Sequence, residues 1–134
     1  MLALEKIQKA NQRLFDEALK HICKQGRKSA KDQWGGTNCM YRSPEGLGCA
    51  FAPAIKNYIS DCEGQDAGWF YQDDNIDYLH DWAKDADPEL AATIQLCHDD
   101  LVLIEDEEEF VNKFKINMQR AAERYELQYI EPTE

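Results

Sequence analysis

The chain has 134 residues, with 15 Lys+Arg against 26 Asp+Glu and a formal net charge of −11. One domain is the default at this length, and 43 % apolar with 31 % charged residues excludes general disorder. No apolar run approaches the roughly 18 residues of a membrane span, residues 1–9 lack the h-region of a signal peptide, and a pI near 4.7 argues against a direct nucleic-acid binder.

Residues 2–25 read as an amphipathic helix, with Leu4, Ile7, Leu14, Ala18 and Ile22 on one stripe and Phe15 and Leu19 widening it. Lys20, His21 and Lys24 in its last turn suit the helix dipole, and Gly26 is a natural residue just past its end. Arg27 to Asn38 is polar, with Gly35-Gly36 marking a loop. Cys39 to Arg42 and Leu47 to Ala50 flank Ser43-Pro44-Glu45-Gly46, a type I turn sequence, so residues 39–50 are expected to form a short β-hairpin packed on helices.

A short helix is expected around Ala54–Ser60 and another over Asn75–Trp82, carrying Ile76, Leu79 and Trp82. Asp87-Pro88-Glu89 is a helix start with an N-cap, a proline and an acid in the first turn. The helix it opens buries Leu90 or Ala91, Ile94, Cys97 and Leu101. Asp106 with Glu109 resembles a capping box and opens a last helix, to about residue 126, with Phe110, Val111, Phe114, Met118, Ala121 and Tyr125 inward. Residues 130–134 read as a frayed tail. The expected class is α+β: a single, mostly helical domain with one small hairpin.

Charge is segregated along the chain. Residues 1–60 carry ten basic and five acidic side chains, whereas residues 61–109 carry seventeen acids and only Lys84. This acidic belt either serves as a solvated surface or steers the protein to a basic partner. Trp69, Phe70 and Tyr71 lie beside Asp73, Asp74, Asp77 and Asp81. Ring anchors surrounded by charge suit an interface, with Trp69-Phe70-Tyr71 as the expected contact patch.

The segment 39–50 reads C-M-Y-R-S-P-E-G-L-G-C-A. It resembles a family of small bacteriophage and prophage proteins with the pattern C-x-Y-R-x(2,3)-G-L-x-C-A, a later Glu-Gly pair and a helical L/I-Q-x-x-H-D. The matching positions are Cys39, Tyr41, Arg42, Gly46, Leu47, Cys49 and Ala50, then Glu63-Gly64, then Ile94, Gln95, His98 and Asp99. Order and approximate spacing hold from about Phe15 to Tyr125. Ala52-Pro53 interrupts a usually smoother run, and a tryptophan common after the His-Asp pair is missing. The resemblance implies phage origin and the cytoplasm of an infected bacterium, and brings no activity with it.

The motif residues admit several chemistries. The five cysteines, an odd number with no export signal, read as reduced thiols. Cys39, Cys49, Cys62 and His98 have the right donor types for structural zinc, but the spacing of the first two is not that of a zinc knuckle. Small buried thiols are the competing reading, and no cofactor is assigned. Arg42 either clamps a phosphate or carboxylate, or bridges the hairpin to Glu63 or Asp99. His98 and Asp99, adjacent on a helix, are not expected to face each other; His98 is either a structural histidine bonded to the hairpin backbone or a general base. Tyr41, Arg42, Gln95, His98 and Asp99 together define a candidate polar cluster.

No P-loop, G-x-G-x-x-G, H-E-x-x-H or G-x-S-x-G sequence is present. The leading expectation is a small, non-enzymatic phage accessory protein whose acidic belt binds and modulates or inhibits a host or anti-phage defence protein, with competition for a basic nucleic-acid-binding surface as one concrete mechanism. Two alternatives stand: a small enzyme or metal-dependent domain centred on the hairpin cysteines, Arg42 and His98-Asp99, and a sponge for a small anionic ligand held by Tyr41 and Arg42. Homodimerisation through the first helix is left open.

Overall fold

A computed structural model of the chain describes residues 3–33 and 36–132, apart from the side chains of residues 31–39. Gly35 and the Cys39 side chain, both invoked above, therefore lie outside the described part, as do residues 2, 133 and 134. Three long helices carry the architecture: α1 (Ala3–Gln25), α3 (Pro88–Asp99) and α4 (Glu107–Tyr125), with a single-turn α2 (Asp81–Lys84) before α3. Among the described residues, no helix is long and apolar enough to cross a membrane.

Local sequence explains the helix ends. The Asp87 carboxylate accepts from the Glu89 amide (2.9 Å) with Pro88 in the first turn, and the Asp106 carboxylate accepts from Glu109 (2.8 Å). Each satisfies an amide donor that the helix itself leaves unpaired. Gly26 closes α1 at φ 75°, with its amide on the Ile22 carbonyl (2.8 Å).

The α1 stripe is buried from Ala10 through Leu14, Phe15, Ala18 and Leu19 to Ile22. Leu4, 64 % exposed, and Ile7 leave it, because none of the described residues covers the first two turns. Phe110, Phe114, Met118 and Ala121 face the core from α4, while Val111 and Tyr125 are only partly covered. α4 runs antiparallel to α3: Asn117 donates to the Cys97 carbonyl at one level, and Arg124 and Tyr125 meet Glu89 at the other. α1 runs with α3, tied by the Asp87 amide to Asn11 at one end and by Lys28 to the Val102 and Ile104 carbonyls at the other.

The expected α+β class is corrected by this arrangement, which is a small helical domain. The 39–50 hairpin does not form. Its turn is present, with the Gly46 amide on the Ser43 carbonyl (2.9 Å), but it closes a single bridge, Arg42 with Gly48. Partners elsewhere take the groups a ladder needs. Gln25 accepts from the Gly48 amide (2.9 Å) and, with His21, donates to its carbonyl (both 3.0 Å), while Ser29 Oγ donates to the Met40 and Leu47 carbonyls. Among the described residues, strand pairing is confined to β1 (Ala30–Gln33) with antiparallel β2 (Gly36–Cys39), a ribbon too short to make a layer, in the stretch expected to be a loop.

Two expected helices are also replaced. Residues 54–60 contain no α-helix, only 3₁₀ turns at Ala52–Ala54 and Ser60–Cys62; Asn75–Trp82 divides into a 3₁₀ turn at Ile76–Tyr78 and the start of α2. The Tyr78 carbonyl accepts from the Lys56 and Asn57 amides, and the His80 amide donates to Ala54. These cross-segment bonds occupy groups that a helical ladder would use.

Candidate functional site

The motif residues disperse into separate groups. Glu63 organises the first: its carboxylate accepts from the Tyr41 amide (2.9 Å), the Arg42 amide (3.0 Å) and the Tyr58 hydroxyl (2.6 Å). The expected link between Arg42 and Glu63 thus runs through the Arg42 backbone. The Arg42 guanidinium lies over the Tyr58 ring, 4.3 Å from its centroid, a cation–π arrangement that orients its planar fork.

Tyr41 joins the core instead, 4 % exposed and edge-on to Phe70 (5.4 Å). Its hydroxyl donates to the Gln65 carbonyl (2.7 Å) and accepts from Gln95 Nε2 (2.8 Å), while Gln95 Oε1 accepts from the Ala67 amide (2.6 Å). Tyr41 and Gln95 thereby fasten the irregular 65–67 stretch onto α3. Burial pushes the Tyr41 phenol far above its ordinary range, so this pair acts as a structural clamp.

His98 forms another group, fully buried. Its Nε2 accepts from the Ser29 amide (2.9 Å), so the ring proton sits on Nδ1 and is donated to Asp99 (2.8 Å). His98 and Asp99 do face each other, contrary to expectation, since a side-chain contact between sequence neighbours is reachable at the helix end. With both ring nitrogens occupied, His98 has no lone pair directed at a ligand. Burial raises the Cys49 thiol strongly, and pushes Cys62 up to about 11 and Cys97 up to about 12, disfavouring the thiolate that metal binding or nucleophilic attack needs. Among the described residues, no group of three or more His, Cys, Asp or Glu is placed to hold a metal.

The acidic, aromatic region also differs from its sequence reading. Phe70 is a core residue, 1 % exposed, packed on Phe51 (5.5 Å). Trp69 is half-buried and stacks parallel on Tyr78 (6.0 Å), and the Tyr71 hydroxyl donates to the Ala83 carbonyl (2.9 Å). The expected contact patch is therefore largely a scaffold. Outside it, Asp73, Asp74, Asp77, Asp81 and Asp85 are exposed, and Lys84 is held between Asp77 (2.9 Å) and Asp81 (3.1 Å). The belt is not continuous in space. Residues 73–87 lie at the start of α3, whereas Glu105–Glu109 follow its end, about 18 Å away along twelve helical residues, where Glu107 meets Arg27.

A pocket of about 540 Å³ opens between the second half of α1 and residues 41–58. Lys20, Lys24 and Arg42 line it against one acid, Glu17, with Pro53 and Ile55 on its apolar wall. Gly48 sets how closely α1 approaches: a Cβ there would lie 2.7 Å from Ala52 Cβ and 3.2 Å from His21 Nε2. Burial holds the His21 imidazole below its ordinary range, leaving a neutral ring at pH 7. Sequence reasoning missed Lys20, Lys24 and His21 as site residues, reading the lysines only as dipole partners. The available signal was the i,i+4 lysine pair in the basic part of a strongly acidic chain.

No family model, curated protein or solved structure matches the chain.

Proposed function

We propose that the protein is a small accessory protein that binds a partner protein with a basic surface through its 73–85 acidic edge, competing with nucleic acid for that surface. The supporting observation is a run of exposed carboxylates held on a pinned scaffold, with its one cation, Lys84, already shared by Asp77 and Asp81. Trp69 on Tyr78, Tyr71 on Ala83 and the Tyr78 and His80 backbone bonds fix this irregular segment. A fixed edge loses little conformational freedom on docking, and its field accelerates encounter with a cationic surface. The resemblance of residues 39–50 to phage proteins supports a setting in the cytoplasm of an infected bacterium, with a host or defence protein as target.

The test is affinity capture from bacterial lysate at low and high salt, followed by a nucleic-acid competition assay on the captured protein. A partner released at high salt, and displaced from nucleic acid by the native chain but not by an Asp73→Lys, Asp74→Lys, Asp77→Lys variant, is the expected result. Capture insensitive to salt and to those substitutions would sink the reading.

A further inference from the structure

We propose that the pocket between α1 and residues 41–58 is a binding site for a small phosphorylated ligand of up to about nucleotide size. Its volume of about 540 Å³ falls in the roughly 300–1,000 Å³ range of small-molecule sites. The inference is independent of the acidic edge and survives the failure of that reading.

The charges at this pocket are arranged against the trend of the molecule. In a chain of net charge −11, three cations converge on one concavity with a single acid among them. None of Lys20, Lys24 and Arg42 has a carboxylate within ion-pair distance among the described residues. Elsewhere on the surface Lys113, Lys115 and Arg124 each have one and Arg27 and Lys84 two, while other cations unpaired among the described residues, such as Lys6, Lys9 and Arg120, do not gather at a concavity with two more of their kind. With three basic side chains against Glu17, the lining of the pocket carries a local surplus of cationic groups that suits an anion.

Arg42 is prepared for that role. Glu63 anchors its backbone amide and, through Tyr58, the ring on which the guanidinium rests. The guanidinium N–H donors themselves have no hydrogen-bond partner among the described residues. A planar, pre-oriented fork suits the oxygens of a phosphoryl group, and the two lysines one turn apart on α1 add point charges. Pro53 and Ile55 present an apolar surface that inorganic anions do not need. A phosphorylated organic molecule uses both walls.

The experiment is calorimetric titration of the full chain at low salt with ADP, pyrophosphate and adenosine. Saturable one-to-one binding of ADP or pyrophosphate, and none of adenosine, is expected. ADP binding more tightly than pyrophosphate would identify a nucleotide-type ligand that uses the apolar wall; equal affinities would identify recognition of the phosphates alone. Either result supports the site. Arg42→Ala and the double variant Lys20→Ala, Lys24→Ala should each weaken binding about tenfold or more, the loss expected for charged hydrogen bonds, with melting temperatures unchanged. Absence of saturable binding up to about 1 mM ligand, or affinities indifferent to both variants, would overturn the proposal.

Discussion

The pocket and the 73–85 edge are built by the same device and carry opposite charge. Each is an irregular stretch pinned by individual hydrogen bonds: Gln25, His21 and Glu63 hold the pocket side, and Tyr71, the Tyr78 carbonyl and the His80 amide hold the other. At the edge, Lys84 is neutralised and, although Lys56 lies near Asp81 and Arg13 over Trp82, the surplus is carboxylate; at the pocket, the surplus is cationic. The comparison teaches that net charge says little about a local site. A chain of −11 displays both an edge of exposed carboxylates and a pocket lined mainly by cations.

The largest expected effect separates scaffold from contact. Phe70→Ala removes a buried ring shared by Tyr41 and Phe51 and should cost about 3–5 kcal/mol in denaturant unfolding. A loss near zero would return Phe70 to the surface patch first read from the sequence. Next, Glu63→Ala leaves the Tyr41 and Arg42 amides and the Tyr58 hydroxyl without their acceptor. A loss of about 2–3 kcal/mol is expected, with weakened anion binding because Arg42 loses its mount; unchanged stability would show that Glu63 does not pin the pocket wall.

A smaller effect is expected from pH. The folded-state pKa of His21 lies below its ordinary value because burial disfavours the charged ring, so the unfolded chain binds the proton more readily. Stability from this group is complete above the unfolded value near 6.5, falls as pH drops below it, and levels off below the folded value. Melting curves between pH 7 and 5 should show this decline, and His21→Gln should flatten part of it. The smallest effect belongs to the edge: Asp73→Lys with Asp74→Lys should shift stability by no more than about 0.5 kcal/mol while slowing association with a basic partner. A large stability loss would mean that these carboxylates hold the fold.

Several features were legible because their causes are local. The Asp87 and Asp106 caps, Gly26 at the end of α1, most of the inward faces of α3 and α4 (Leu101, expected on the first, falls beyond its end) and the 43–46 turn each depend on residues within a few positions of one another. The expected hairpin illustrates the limit. Its turn sequence was read correctly, but Gln25, Ser29 and Glu63 claim the backbone groups on either side, and nothing in the motif's spacing announces them. His98 is similar: one reading bonds it to the backbone of residues 39–50, yet its backbone partner is the Ser29 amide, 69 positions away.

The sequence by itself determined the caps that open α3 and α4, the end of α1 at Gly26 and how charge divides along the chain, since capping, periodicity and composition act over one or two turns. Only the tertiary structure decided that Phe70 and Tyr41 are core, that the acidic belt breaks into two clusters, and that Lys20, Lys24 and Arg42 meet around one pocket. The physical reason is that a buried backbone amide or carbonyl must find a partner. In an irregular segment that partner comes from whichever distant side chain packing brings within reach.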